Sequence, residues 1–156
     1  MLELTQNNLT STIEASPHLW LINYCRISCG FCQSLHPHWE RLAHTLRNEV
    51  HVAYLDAEES ATPPALLGDV SSTPAIRAVL RRPDGPPRAV DYQGLRAPED
   101  LARFARAHMP DHVVRVEADA AWAELARQAA NERLPRAVVF TSRDAGSHTP
   151  PMLKRL

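Results

Sequence analysis

Three cysteines, Cys25, Cys29 and Cys32, fall within eight consecutive positions and are the only cysteines of the 156-residue chain. That is too few for a disulfide scaffold, and their clustering points to redox chemistry or to a metal. Cys29-Gly30-Phe31-Cys32 spaces two sulfurs by one turn of a helix. Where such a pair ends a strand and opens a helix, the first sulfur sits beside free N–H groups. Those groups and the helix dipole favour thiolate, drawing Cys29 below the free-thiol value of about 8.5. Cys32 is then placed to attack a mixed disulfide formed on Cys29 and to release the substrate. The exchange needs neither a metal nor an organic cofactor, and Gly30 is expected to permit the tight turn.

Other chemistries fit the same sulfurs. Cys-x₃-Cys-x₂-Cys, with Phe31 before the last cysteine, matches the iron–sulfur pattern of radical S-adenosylmethionine enzymes. That reading requires a larger barrel of repeated βα units. Three cysteines with His36 or His38 also make a four-ligand zinc set. Three reduced cysteines without a chemical role are the plainest alternative. The redox reading carries the most weight, because of the elements around the pair.

Those elements follow from the apolar pattern. Residues 19–24 form a short apolar run, as expected of a strand buried on both faces. After the cysteines, Leu35, Trp39, Leu42 and Leu46 make one apolar helical stripe, with Pro37 inside it as a kink. Residues 50–56 read as a second strand, which completes a parallel βαβ unit. A connection over 58–69 holds a short helix near 64–67. Thr73-Pro74 leads into a strand over 75–80, followed by a Pro-Asp-Gly turn at 83–85 and a strand over 88–92. Together these predict a β-hairpin with a long loop. Gly94 ends it, and residues 98–107 form a helix with Leu101, Phe104 and Ala105 on one face and Pro98 in its first turn. Residues 5–15 read as a weak helix.

Residues 111–156 start a new unit. A strand is expected over 113–116, a helix capped by Asp119 and carrying Trp122, Leu125 and Ala129, and a strand over 137–141. A lone βαβ unit leaves one sheet face uncovered, so it either packs on the first domain or belongs to a longer protein of which this is a truncated piece, and truncation is the expectation. The domain expectation is therefore 1–110 and 111–156.

Composition bounds the rest. The net charge is −1 and no long basic or acidic run occurs, which argues against a nucleic-acid partner. No apolar stretch approaches the roughly 18–20 residues that span a bilayer, so no membrane partner is expected. The N-terminal residues lack the basic start and apolar run of a signal peptide.

The stretch from Trp20 through Cys29-Gly30-Phe31-Cys32 to Leu35-His36-Pro37-His38-Trp39-Glu40 resembles the active-site segment of protein disulfide isomerases. That family has a hydrophobic strand, Cys-Gly-His-Cys, then Leu-x-Pro-x-Trp/Tyr-Glu on a helix. Ser72-Thr73-Pro74-Ala75 occupies the place of its cis-proline loop, and Tyr92-Gln93-Gly94-Leu95-Arg96 is similar to its Tyr-x-Gly-x-Arg stretch. The resemblance covers residues 3–109. It implies an α/β thioredoxin fold, βαβ followed by ββα, with a mixed central sheet flanked by helices and the start of a second thioredoxin-like unit. It further implies Cys29 as nucleophile, Cys32 as resolving cysteine and Pro74 in cis, exposing the Thr73 backbone to a client strand. Arg96 would approach Cys32 and help it ionise. The partners implied are cysteine-containing polypeptide clients and a redox partner protein or glutathione. The compartment implied is the endoplasmic reticulum lumen, with the cytosol as alternative.

Four departures qualify these roles. Asn23 stands where the family has a buried acid that takes the proton of the resolving thiol, and Tyr54 stands where a lysine pairs with that acid. Phe31 replaces the histidine that stabilises the nucleophilic thiolate, and Ser28 replaces a tryptophan. Slow release and long-lived mixed disulfides are therefore expected. The alternative function is a thioredoxin-like client-binding module with little turnover, and the remote one is an iron–sulfur enzyme fragment.

Overall fold

Six consecutive buried residues, Trp20–Cys25, form the central strand of the sheet, because a strand flanked on both sides and covered on both faces has no wet position. The structure, a computed structural model, describes residues 1–59, 63–82, 85–111, 113, 116, 119–131 and 138. The chain divides into two compact units, Met1–Pro110 and Asp111–Leu156.

In the first unit the elements are β1 (Leu2–Leu4), α1 (Leu9–Glu14), β2 (Trp20–Cys25), α2 (Gly30–Thr45) and β3 (His51–Asp56). A 3₁₀ turn (Ala65–Leu67) then leads to β4 (Ala75–Arg82), β5 (Gly85–Asp91) and α3 (Pro98–Ala107). The sheet order is β1-β3-β2-β4-β5. β3 runs parallel to β1 and β2, whereas β4 is antiparallel to both β2 and β5. This is the expected α/β architecture of βαβ followed by ββα, preceded by an additional β1–α1.

Alternation along the strands sorts the core into two layers. Leu21 of β2, Val52 of β3, and Ile76 and Ala78 of β4 pack with Leu35, Trp39 and Leu42 of α2 and Leu101 and Ala105 of α3. Trp20, Ile22 and Tyr24 face the other way, with Leu9 and Ile13 of α1, Leu55 of β3 and Leu67 of the 3₁₀ turn. The predicted stripe on α2 is therefore the face that meets the sheet. Trp39 is its anchor, fully buried, with its indole N–H donating to the Ala53 carbonyl at 3.1 Å.

One buried cation braces the far side. Arg77 in β4 donates to the carbonyls of Leu67 (3.2 Å), Asp69 (3.0 Å) and Ile76 (3.2 Å) and pairs with Asp91 of β5, its cross-strand partner in register. A planar guanidinium can serve four acceptors at once, which offsets the cost of burying its charge.

Two expectations for this unit are corrected. β1 was not anticipated, because three residues with one buried side chain are too short to register as a period. The hairpin has no long loop: β4 runs on to Arg82 and β5 begins at Gly85, so only residues 83–84, outside the described residues, connect them. The apolar pattern stops at Leu80, but the backbone ladder continues through exposed arginines. β5 carries Pro86 and Pro87, which its edge position tolerates.

In the second unit α4 (Asp119–Asn131) lies where a helix was predicted, with Asp119 as its first residue rather than in front of it. None of its residues is buried. The strand predicted over 113–116 is described only at Val113 and Val116, neither in a strand, and the one over 137–141 lies outside the described residues except at Val138. Among the described residues no helix is long and apolar enough to cross a membrane.

Candidate redox site

β2 delivers the chain to the site with a fixed parity. Because Leu21 points toward α2, so do Asn23 and Cys25, and Cys25 ends the strand completely buried. Residues 26–29 then turn the chain into α2. Cys29 is the N-cap, with extended backbone (φ −83°, ψ 119°) and no side-chain cap bond to the first turn. Cys32, one turn further on, faces the sheet and is 5% exposed.

The disulfide in this structure joins Cys25 to Cys32, and Cys29 keeps a free thiol. That differs from the expected pairing of Cys29 with Cys32. The physical reason is the parity just described, which aims the last side chain of β2 at the first turn of α2. The signal was legible, since Cys25 lies two and four residues from Asn23 and Leu21 on one strand face. The zinc and iron–sulfur readings need three thiolates together, whereas here two of the three sulfurs are bonded to each other.

Cys29 has the environment of a reactive thiol. Its sulfur is half-buried and donates to the Thr73 carbonyl at 3.8 Å. The backbone N–H of Cys32 does most to favour its thiolate, with help from the Thr73 side chain, the N–H of Phe31 and the charge of Arg26. Together these hold the pKa below the ordinary thiol value despite some desolvation. Alkylation of Cys29 by iodoacetamide should therefore reach half its maximal rate at a pH below that of an unperturbed thiol, followed by mass spectrometry of the labelled peptide. The folded chain also releases this proton more readily than the unfolded one. The associated stability is complete above the unfolded pKa and is lost as the pH falls through the folded one.

Thr73-Pro74 is a cis peptide, as predicted, and it places Thr73 against Cys29. Arg96 donates to the Pro74 carbonyl at 3.2 Å, so its partner is the cis-proline loop. An ionising role on Cys32 has no proton to act on in this state, since Cys32 is disulfide-bonded. Phe31 is 75% exposed and Ile27 67% exposed, leaving apolar surface on either side of Cys29.

Gly30 does not serve a strained turn. It is the first residue of α2, its φ is not in the left-handed region, and a Cβ built there meets nothing within 4 Å. Gly30→Ala should therefore cost no stability and could add up to about 1 kcal/mol by stiffening the unfolded chain, measured by guanidinium unfolding.

Asn23 and Tyr54 are register partners across β2 and β3, as their joint departure from the isomerases suggests. Asn23 is buried and its Oδ1 has no hydrogen-bond partner among the described residues. Tyr54 Oη donates to the Cys25 carbonyl at 3.0 Å. Burial, reinforced by Asp56, Glu58 and Glu3, pushes its pKa up to about 12, so it stays a donor. Two contacts around the loop were not predicted. The Ser28 N–H donates to Glu58 Oε1 at 3.0 Å, and Gln33 Nε2 donates to the Ile27 carbonyl at 2.9 Å. The Ser28 side chain, and after it this N–H, lower the pKa of Glu58. No local pattern announces either contact, because each closes only when the loop is formed.

A family model described as Thioredoxin matches residues 1–107. The chain belongs to the thioredoxin family. It is 35% identical over 105 residues to protein disulfide-isomerase like 2-2 of Arabidopsis thaliana, covering 67% of this chain and 22% of that one. Human protein disulfide-isomerase A6 is 32% identical over 105 residues, covering 67% and 23%. The chain thus spans less than a quarter of the length of these curated relatives. Among solved structures, the first thioredoxin domain of mouse protein disulfide-isomerase A4 superposes with a TM-score of 0.58 at 26% identity, over 75% of this chain and 85% of that one. Human ERp44 in its zinc-bound form gives 0.62 at 22% identity, over 80% and 36%, a likeness of fold. The thioredoxin fold and the resemblance to protein disulfide isomerases are borne out. The thioredoxin sheet, with its antiparallel β4–β5 hairpin, is not the barrel of repeated βα units that the iron–sulfur alternative requires.

Proposed function

We propose that this thioredoxin-family chain exchanges disulfides with cysteine-containing polypeptides, Cys29 acting as nucleophile and Cys32 as resolving cysteine. One observation carries the reading: Cys29 is a free, half-buried thiol at the mouth of α2 whose thiolate is favoured by backbone N–H groups of the first turn. The thiolate attacks a client disulfide, forming a mixed disulfide and releasing one client thiolate. Cys32, when its own sulfur is free, displaces the client and closes Cys29–Cys32. Glutathione or a redox protein then resets the pair. Exposed Phe31 receives apolar client side chains, the Thr73-Pro74 segment offers backbone to an extended client, Arg96 supports that segment, and Gly30 leaves the approach to Cys29 open. We place this activity in an oxidising lumen such as the endoplasmic reticulum. We take residues 111–156 as the opening of a second thioredoxin-like domain.

Slow turnover favours the client-binding reading as a second state of the same protein. Asn23 supplies no buried base for the resolving thiol, and Cys32 is engaged with Cys25. Insulin reduction in dithiothreitol tests the first reading. Precipitation of the insulin B chain faster than in the protein-free blank supports exchange, and a rate equal to the blank rejects it.

A further inference from the structure

Cys32 has two sulfurs to choose between. Strand parity brings Cys25 to it from β2, and the first turn of α2 brings Cys29 to it from the N-cap. Only one of the two bonds can exist at a time. We propose that Cys25 is a third redox cysteine: bonded to Cys32 it latches the site, withholding the resolving sulfur and leaving Cys29 to hold clients as a single thiol. The latch rests on the proposal that Cys29 exchanges disulfides with clients, and it adds a regulation of that same site.

Access decides how the latch opens. Cys25 is 0% exposed and Cys32 5%, so a bulky external thiol has no in-line approach to either sulfur. Cys29, one helical turn from Cys32, is the nucleophile already inside. Its thiolate attacks Cys32 Sγ, the Cys29–Cys32 bond forms, and the Cys25–Cys32 bond breaks. Cys25 leaves as thiolate and takes up one proton from water, balancing the proton Cys29 lost on ionising. One disulfide is present before and after, so no oxidant or reductant is consumed. The leaving group is a poor one, because Cys25 is completely buried at the end of β2 and water does not reach it to solvate the departing charge. Opening is therefore slow, and a client bound to Cys29 while the latch is closed meets no resolving sulfur. Asn23, on the same strand face, offers no carboxylate to hasten the step.

The sequence makes the pairing easy to read. No lysine or arginine precedes Arg26, so trypsin cuts between Cys25 and Cys29 and then after Arg41. Oxidised full-length protein is quenched in acid, alkylated under denaturing conditions and digested without reduction. The latch predicts peptides 1–26 and 27–41 joined by a disulfide, with the alkyl group on Cys29. A second measurement mixes the oxidised chain with insulin and follows the Cys29-linked adduct on non-reducing gels. With Cys25→Ala, reduced beforehand and freed of reductant so that Cys29 and Cys32 are both thiols, the adduct lifetime should fall by about tenfold or more. A map showing only a loop within peptide 27–41 and the label on Cys25, or equal adduct lifetimes for the two proteins, overturns the latch alone. No adduct with either protein overturns the exchange reading and the latch with it.

Discussion

Cys29→Ser brings the rate of insulin reduction down to that of dithiothreitol alone. The chain has three cysteines, and only Cys29 combines access with a favoured thiolate. Cys32 and Cys25 are buried and joined to each other. A serine hydroxyl at position 29 is not a nucleophile toward disulfides, and the backbone N–H groups of Cys32 and Phe31 then stabilise nothing that reacts. The fold should be indifferent to the change, because Cys29 makes no side-chain cap bond to α2 and one weak contact to Thr73. Circular dichroism of the variant serves as the control. A variant that retains more than a small part of the catalysed rate would show that another sulfur carries the exchange.

Trp39→Ala lowers the unfolding free energy by about 3–5 kcal/mol. Trp39 is 0% exposed, sits midway along the α2 stripe and is wrapped by side chains of the sheet and of α2. Truncation forfeits the transfer energy of the indole and leaves a cavity that two packed layers cannot close. It also removes the N–H donor to the Ala53 carbonyl. Domains of this size have roughly 5–15 kcal/mol in hand, so the variant should fold but unfold at much lower denaturant. Guanidinium titration by far-UV circular dichroism should show a reduced midpoint at unchanged slope. Trp39→Phe, which keeps most of the apolar bulk, should lose only about 1–2 kcal/mol, largely the hydrogen bond. Equal midpoints for the wild type and Trp39→Ala would mean that the stripe does not hold α2 to the sheet.

The parts of the fold legible from the residues are those where one chemical pattern persists over several positions. β2 is a continuous apolar run, the α2 stripe repeats over about three turns, and Pro98 with Leu101 and Ala105 outlines α3. What escaped were features settled through space. β1 owes its existence to an open edge of β3, and the outer ends of β4 and β5 follow their ladder rather than their hydrophobicity. In the site, Cys29 at the helix mouth followed from spacing and order, and the Thr73-Pro74 loop opposite it followed from the resemblance to the isomerases. The partner of Cys32 was missed because neighbours in a motif are weighed by separation along the chain, while strand parity aims the residue four positions before the motif at the first turn of the helix. Arg96 was likewise expected beside Cys32 and instead donates to the Pro74 carbonyl of the cis-proline loop.

Arg77 ties the edge of the sheet to the approach of the cis-proline segment. Its guanidinium spans the Leu67 and Asp69 carbonyls at one end and Asp91 at the other, and β4, which carries it, begins one residue after Pro74. The wall opposite the reactive sulfur is thus moored to the outermost strand rather than left hanging from its own turn. A disturbance at that rim, far from any cysteine, would reach the segment beside Cys29 through a single side chain.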